Sequence, residues 1–491
     1  MTNLSQSINF MMFNSAFILY TLGSVLNKIA YLLLLPIITA LVTNGDGLAE
    51  FSQSFVIILL FSFLLTWKKP INMALRVKDM LLMTTLIWVI VGLFSALPFI
   101  FIKHISLTDA YFETMSGLTT TGSSVLSNLN NTAPSLLMWR STLQWIGGLG
   151  MIVMAVAILP FLNVGGMTLF RSESSDWSEK STPHTKDIAK NIIRIYILLT
   201  VLSIVAFMLS GMSFFDAINH SFAALSTGGF STRDAGLADY SNAAQWVCAL
   251  FMFLGSLPFL LFLQAAQKRN FKIIAYNQQI VGFTLFIVVT GLFLTGYLYQ
   301  QHIFNFNDSL RLSFFSLINI LSTSGFTLVN FDTWTSTTTI IFAFAFLIGG
   351  CSGSTAGGIK IFRFQIIFSL LKIQIQTLVH PNSVHLLQYN GKKVQNNTLF
   401  AIITFIFCYF ISIFILSVLL AISGMGSLEA LSSAATAIGN VGPGLGPAVG
   451  PSGNFANIPE IAKWLMSIGM LLGRLEITTM LVLLFPRYWK M

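Results

Sequence analysis

Residues 118–124 of the chain read Leu-Thr-Thr-Thr-Gly-Ser-Ser, and three further stretches follow the same plan. These are Leu-Ser-Thr-Gly-Gly-Phe-Ser at 225–231, Leu-Ser-Thr-Ser-Gly-Phe-Thr at 321–327 and Ile-Gly-Asn-Val-Gly-Pro-Gly at 438–444. A short apolar piece precedes each stretch and opens thirteen residues before its shared glycine, at Asp109, Asp216, Leu312 and Glu429. Equal spacing in four copies favours an internal repeat over small residues that simply pack helices.

Apolar residues dominate the sequence around these stretches. Of the 491 residues, 55% are hydrophobic and 9% are charged, whereas about 25% are charged in an ordinary soluble domain. Several apolar runs reach the roughly 20 residues that cross a bilayer. The composition therefore predicts an all-helical, polytopic membrane protein. Its net charge of +9 indicates basic cytoplasmic loops rather than nucleic-acid binding.

Polar loops divide the apolar sequence into ten predicted spans. Their cores lie at 14–40, 51–66, 80–102, 138–162, 190–212, 243–265, 278–299, 335–362, 398–422 and 462–486. The four short pieces at 109–119, 215–226, 311–322 and 429–438 predict re-entrant pore loops, because they are too short to cross. Most Lys and Arg fall in the loops on the side of the termini, so the positive-inside rule places both termini in the cytoplasm and all four pore loops outside.

The four pore loops also divide the chain into units. We predict an N-terminal transmembrane hairpin at 1–70, followed by repeats at 71–170, 171–270, 271–394 and 395–491. Each repeat holds two spans and one re-entrant loop. Four such units predict a pseudo-fourfold ring around one pore.

The glycine stretches suit a monovalent cation. A short helix that ends at such a stretch points its partially negative C-terminus toward the pore axis. Glycine lets backbone carbonyls face that axis, and carbonyl oxygens without carboxylates bind potassium weakly enough to release it.

Two further features lie inside predicted spans. Residues 349–358 hold five glycines, each of which disfavours a helix by about 1 kcal/mol relative to alanine, so we predict that this segment is unwound. Arg474 lies near the centre of the last span, where a charge is unfavourable by about 2.5 to 3.5 kcal/mol and indicates a functional site. A packing kink at the glycines, and a structural ion pair of Arg474 with Glu476 or with groups near Lys360, are the alternatives.

Together these motifs resemble the superfamily of potassium transporters with four fused membrane–pore–membrane repeats, and within it the bacterial TrkH type, which has an extra N-terminal hairpin. The resemblance implies that backbone carbonyls of a filter hold potassium. The filter residues are Thr120, Thr121, Gly122, Thr227, Gly228, Gly229, Thr323, Ser324, Gly325, Asn440, Val441 and Gly442. It also implies that an intramembrane loop obstructs the pore and gates it together with Arg474. The loop residues are Gly349, Gly350, Cys351, Ser352, Gly353, Ser354, Thr355, Ala356, Gly357 and Gly358.

The resemblance further implies a cellular role. The chain is expected to take up potassium across the bacterial inner membrane as the pore-forming subunit of a Trk system, as a homodimer in the lipid bilayer. A cytosolic TrkA-type nucleotide-binding subunit is expected to dock on the inside segments 170–190 and 372–393. The chain itself is expected to bind no cofactor and no nucleic acid, with potassium as its substrate.

Two other classes of protein share part of this pattern. A secondary solute transporter also has broken helices, but its inverted repeats alternate in sidedness. An intramembrane enzyme needs a catalytic pair that faces a wet cavity. The six histidines show no paired ligand spacing, and no Ser-His-Asp or Cys-His arrangement is visible, so no enzymatic activity is predicted.

Overall fold

The computed structural model describes residues 14–43, 45–70, 76–157, 185–451 and 453–490. Its first described part is a helical hairpin made of α1 (Ser15–Leu32), α2 (Leu34–Val42) and α3 (Leu48–Thr66). Leu22, Leu26 and Ile29 of α1 are buried. The Ser62 hydroxyl of α3 donates a hydrogen bond to the Gly23 carbonyl at 2.8 Å. This bond brings α1 and α3 close together, while the division of the chain into a hairpin and four repeats stays a prediction.

Four similar successions of helices follow. The first consists of α4 (Val77–Ser95), α5 (Leu97–Lys103), α6 (Leu107–Leu118) and α7 (Pro134–Ala157). The second consists of α8 (Thr185–Leu209), α9 (Phe214–Leu225), α10 (Asn242–Gly255), α11 (Phe259–Lys268) and α12 (Lys272–Ala275). The third consists of α13 (Gln278–Gln300), α14 (Phe306–Leu321), α15 (Ser336–Ala345), the strands β1 (Ile348–Gly349) and β2 (Ile359–Lys360), and α16 (Ile361–Val379). The fourth consists of the strands β3 (Gln388–Tyr389) and β4 (Lys392–Lys393), α17 (Asn396–Ile422), α18 (Ser427–Gly439), α19 (Glu460–Arg474), α20 (Ile477–Leu484) and α21 (Pro486–Lys490).

The described helices agree with a polytopic membrane protein. Seven helical segments are long and apolar enough to cross a membrane, and two bent helix pairs raise the number to nine. The prediction of several spans with short helices between them is therefore confirmed, while the number ten stays a prediction. The fourth predicted span corresponds to α7, and its end beyond Ala157 lies outside the described residues. Most of the predicted docking segment 170–190 lies outside them too.

Three predicted spans differ in shape from the structure. Span 243–265 bends by 87° between α10 and α11, where Pro258 lacks the N–H that would continue the helix. Span 462–486 bends by 115° between α19 and α20, where Glu476 has a positive φ of 63°. Predicted span 335–362 ends as a helix at Ala345. The next helix runs from Ile361 to Val379, so the predicted cytoplasmic segment 372–393 begins as helix and only later becomes a loop.

The four predicted pore pieces are short helices, namely α6, α9, α14 and α18. Ser106, Ser213 and Asn305 cap the first three by accepting from the N–H of Asp109, Asp216 and Asp308. In the third piece the predicted opening position, Leu312, is wrong, because the helix does not begin there. Its helix begins at Phe306 and carries one extra N-terminal turn, which places the acidic residue of the first turn at Asp308.

The last succession returns to the first. The Lys463 ammonium of α19 pairs with the Asp109 carboxylate of α6 at 2.5 Å. Next to this pair, Trp464 stacks on Tyr111 with their ring centroids 4.9 Å apart. These contacts join residues more than 350 positions apart, so the last succession of helices packs against the first.

Candidate functional site

The four glycine stretches share one backbone conformation. At each helix C-terminus one residue has a left-handed φ between 53° and 56°, and the shared glycine two positions later also has a positive φ. The left-handed residues are Thr120, Thr227, Thr323 and Asn440. Threonine is β-branched and rarely left-handed, so three of these positions are strained. Such strain persists only where the surrounding structure holds it in place.

Each of the four helices ends with the same hydrogen-bonded cap. The N–H after the left-handed residue donates to the carbonyl five positions earlier, at 2.8 to 3.0 Å. The four donors are Thr121, Gly228, Ser324 and Val441. This cap turns the chain out of the helix. The carbonyls of the left-handed residues accept no hydrogen bond from any part of the chain that the structure describes.

The four loops contact one another in chain order. A Cβ atom on Gly122 would overlap the Gly228 carbonyl, one on Gly229 the Ser324 carbonyl and one on Gly325 the Val441 carbonyl. A Cβ atom on Gly442 would lie 2.8 Å from the Thr121 carbonyl oxygen. Each glycine therefore abuts the carbonyl that precedes the next glycine, and the fourth loop returns to the first. A side chain at these glycines would push the neighbouring carbonyl aside.

A cavity of about 300 Å³ lies against this ring. Its wall includes Gly122, Gly229, Gly325 and, next to the fourth glycine, Pro443. Ser123, Ser231 and Thr327, which directly follow or nearly follow three of the glycines, line it as well. The chain therefore leaves all four glycines toward one common, polar cavity.

A buried ion pair joins the first loop to the second. The Arg140 Nε atom of α7 lies 2.8 Å from the Glu113 carboxylate of α6, and both side chains are at most 2% exposed. Glu113 also accepts from the Val125 N–H at 2.9 Å. The Arg140 guanidinium donates to the Ser231 carbonyl at 3.1 Å and lies 4.1 Å from the Phe230 ring centroid. The sequence analysis does not single out this pair, although charges in largely apolar segments are a signal for a buried partner.

Replacing Arg140 by alanine is expected to destabilise the protein by about 3 to 5 kcal/mol, because it leaves the Glu113 carboxylate buried and without its cation. Thermal unfolding of the purified protein in detergent would measure the change. The exposed Arg194 is the matched control, since Arg194→Ala removes an arginine that faces outward. Equal melting temperatures for the two variants would contradict the structural role of the pair.

The glycine-rich segment at 349–358 is not helical, as predicted. It lies between β1 and β2, which pair in parallel through Ile348 with Ile359 and Gly349 with Lys360. Gly353 and Gly358 have φ values of 74° and 66°, which non-glycine residues rarely adopt. The glycines therefore permit a compact loop between the two strands.

This loop touches three of the four candidate filter stretches. The Thr355 hydroxyl lies 3.2 Å from the Thr227 hydroxyl and donates to the Gly255 carbonyl at 2.8 Å. The Gly357 N–H donates to the Thr323 hydroxyl at 2.7 Å. In the fourth stretch, a Cβ atom on Gly357 would overlap the Gly439 carbonyl. The loop thus packs against the helix ends that precede the filter glycines.

Arg474 lies at the end of α19 and binds this loop directly. Its guanidinium donates to the Thr355 carbonyl at 2.8 Å and to the Gly147 carbonyl at 3.1 Å, and it is 1% exposed. The alternative of an ion pair between Arg474 and Glu476 is wrong, because Glu476 pairs with Arg363 at 2.9 Å. The Lys360 ammonium donates to the Ala356 carbonyl within the loop.

Histidine and acidic side chains do not form a metal site here. In the described ranges no group of three or more His, Cys, Asp or Glu could hold a metal ion. The buried His220 of α9 has its ring nitrogens 2.8 Å from the Asp216 carbonyl and 3.1 Å from the Ser231 hydroxyl. His220 therefore takes part in hydrogen bonds with one backbone carbonyl and one hydroxyl.

Known proteins resemble the chain over nearly its whole length. It is 39% identical over 468 residues to the Trk system potassium uptake protein TrkI of Halomonas elongata, with 94% of each chain covered. It is 34% identical to the Trk system potassium uptake protein TrkH of Escherichia coli K12, over 93% of this chain and 96% of that protein. The crystal structure of the potassium transporter TrkH from Vibrio parahaemolyticus matches with a TM-score of 0.89 at 32% identity, over 97% of this chain and 100% of that one.

A family model places these similarities in one group. The TrkH model, described as a cation transport protein, matches residues 47–491. Members of this family are membrane ion transporters and not enzymes, which confirms the prediction against enzymatic activity. The matched residues, the relatives and the fold together show that the chain belongs to the TrkH family of cation transport proteins.

Proposed function

We propose that this protein takes up potassium as the channel-like, pore-forming subunit of a Trk system. The observation that carries the proposal is the ring in which each filter glycine abuts the carbonyl before the next glycine. A ring of backbone carbonyls replaces the hydration shell of a monovalent cation. The relatives that carry the name potassium uptake protein support the same ion.

The filter consists of the twelve residues that the sequence predicts, arranged as four repeats with pseudo-fourfold symmetry. The four left-handed residues present carbonyls that no described donor occupies. By contrast, the Gly442 carbonyl accepts from the Ser123 hydroxyl at 2.7 Å. The chain needs no cofactor for this task, and potassium is its substrate.

The glycine-rich loop and Arg474 form the gate of this pore. The loop packs against Thr227 and Thr323 at the inner end of the filter, and Arg474 holds it through the Thr355 carbonyl. A fixed positive charge at this position repels cations in a medium of low dielectric constant. The pore opens when the loop and the guanidinium move away together.

Replacing Thr355 by valine is expected to raise potassium flux by about three- to tenfold. Valine keeps the shape of the side chain but loses the hydroxyl, whose single proton lies between the Gly255 carbonyl at 2.8 Å and the Leu225 carbonyl at 3.1 Å. The lost hydrogen bond is worth about 1 kcal/mol. Tracer flux into liposomes measures the effect. Thr377→Val removes a hydroxyl bond within α16, far from the loop in sequence, and serves as the control. A Thr355→Val flux equal to wild type would contradict the gating role.

The protein acts as a homodimer in the bacterial inner membrane, with both termini in the cytoplasm. A cytosolic TrkA-type nucleotide-binding subunit controls the gate from that side. The names of the relatives as parts of Trk systems support a multicomponent assembly. Co-purification with such a subunit, followed by mass measurement of the complex, tests both partners. A monomer that retains no soluble subunit would contradict them.

The alternative is a cation-coupled secondary transporter with inverted repeats. Single cysteines at Ser123, Ser231, Thr327 and Pro443 distinguish the two, because all four residues line one cavity. In a background without Cys248, Cys351 and Cys408, we expect a membrane-impermeant thiol reagent to label all four from outside. Labelling from opposite sides would support inverted repeats instead.

Growth of a potassium-uptake-deficient bacterium on low potassium tests the proposed function in a cell. Expression of the chain with its soluble subunit is expected to restore growth. Growth that stays absent, although both proteins are present and the chain is in the membrane, would overturn the proposal.

A further inference from the structure

One buried amide supports the second filter loop from a helix of the first succession. Gln144 of α7 is fully buried. Its Nε2 atom donates to the Gly228 carbonyl at 2.5 Å, and its Oε1 atom accepts from the Phe230 N–H at 3.1 Å. The two bonds lie on either side of Gly229. Gln144 therefore fixes the peptide groups that flank the filter glycine.

Two other loops take similar support from their own pore helix, at the position six residues before the shared glycine. In the third loop Asn319 bonds both the N–H and the carbonyl of Phe326, each at 2.8 Å. In the fourth loop the Thr436 hydroxyl accepts from the Gly442 N–H at 2.8 Å. In the third and fourth loops a polar side chain at this position therefore steadies the backbone beside the glycine. In the first loop the residue at this position is Ser116, whose buried hydroxyl has no hydrogen-bond partner among the described residues.

The second loop departs from this pattern at two positions, and both departures fit Gln144. Its supporting position is Ala223, whose methyl group forms no hydrogen bond. The residue before its shared glycine is Gly228, and a Cβ atom there would overlap the Gln144 amide. The other loops carry a larger residue at that place: Thr121, Ser324 and Val441. The glycine makes room for the amide, and the amide supplies the bonds that alanine lacks.

We infer that Gln144 is a positioning residue for ion selection, which holds the Gly228 carbonyl in a hydrogen bond and thereby makes the second loop contribute differently from the others to the ring around the ion. The inference rests on the proposed potassium filter. A carbonyl that accepts a buried amide hydrogen bond is fixed in direction and shares its lone pairs with that donor. Because only the second loop has its carbonyl fixed by Gln144, that loop makes its own contribution to the discrimination between ions.

Gln144→Leu tests the inference, since leucine keeps most of the volume and removes both bonds. We expect the ratio of potassium to sodium flux into liposomes to fall by about tenfold, because the Gly228 peptide is then free to turn. Rubidium flux reports that the pore is still intact. Gln245→Leu is the matched control: this buried amide donates to the Leu237 and Tyr240 carbonyls, and its loss is expected to lower thermal stability without changing the ratio.

If Gln144→Leu does not reach the membrane, Gln144→Met takes its place. The methionine thioether keeps the length of the side chain but has no N–H to donate to the Gly228 carbonyl, so the same fall in ratio is expected. A second experiment tests whether the residues at positions 228 and 144 depend on each other. Gly228→Ser alone is expected to lower flux by crowding the amide, and adding Gln144→Ser is expected to restore part of it.

The outcomes separate this inference from the function on which it rests. Wild-type protein without a preference for potassium would contradict the proposed function. A wild-type preference, combined with an unchanged ratio in the Gln144 variant, would overturn the role of Gln144 alone. Failure of Gln144→Ser to restore flux in the Gly228→Ser protein would contradict the pairing of the two positions.

Discussion

Replacing Gly325 by serine is expected to lower potassium flux by roughly ten- to a hundredfold and to bring the potassium-to-sodium ratio close to one. Gly325 has a φ of 75°, which disfavours an L side chain by about 1 to 2 kcal/mol. Its Cβ atom would also overlap the Val441 carbonyl. The substitution therefore moves a carbonyl of the fourth loop as well as its own peptide. Tracer flux of potassium, rubidium and sodium into liposomes measures both effects.

Gly391 provides a control with the same backbone conformation and no neighbour. Its φ is also 75°, but nothing lies within 4 Å of a Cβ atom placed on it. Gly391→Ser is expected to lose a similar amount of local stability and to leave flux and selectivity unchanged. If Gly325→Ser behaved like Gly391→Ser, the contact between the third and fourth loops would not matter for ion selection.

Replacing Arg474 by alanine is expected to raise potassium flux by roughly tenfold or more. Two like unit charges about 8 Å apart repel each other by about 2 kcal/mol at an effective dielectric constant near 20, and this barrier disappears with the guanidinium. The Thr355 carbonyl also loses its donor, which loosens the loop. Flux of the chain alone, without a regulatory subunit, measures the gain.

Arg474→Lys separates charge from hydrogen bonding. Lysine keeps the positive charge but lacks the two terminal guanidinium nitrogens that donate to the Thr355 and Gly147 carbonyls. We expect its flux to lie between wild type and Arg474→Ala. A fall in flux for Arg474→Ala, with the melting temperature unchanged, would show that the arginine supports conduction rather than opposing it.

The sequence was sufficient for the features that depend on local pattern. Hydropathy predicted the membrane helices, and the spacing before Gly122, Gly229, Gly325 and Gly442 predicted the four short helices. Glycine content predicted the unwound segment at 349–358. Each of these features follows from helix propensity or apolar length, which a single chain displays directly.

Two kinds of feature were missed by sequence reasoning. The bends at Pro258 and Glu476 are local, but they lie inside segments whose average hydropathy is that of one continuous span. The other missed features depend on contacts with surrounding or distant residues. Three left-handed threonines contradict residue propensity and are held by the loops around them. Neither the Arg140–Glu113 pair nor the bond from Gln144 to Gly228 could be predicted, because their partners are 27 and 84 residues apart.

The central claim, that the glycine ring selects potassium, is tested most directly by tracer flux into liposomes containing the purified protein. Potassium, rubidium, sodium and lithium are compared at one imposed membrane potential, in wild type and in Arg474→Ala. We predict that potassium and rubidium enter in preference to sodium and lithium, and that the Arg474→Ala protein shows the same preference at higher flux. Equal entry of all four ions, or a preference for sodium, would contradict the account.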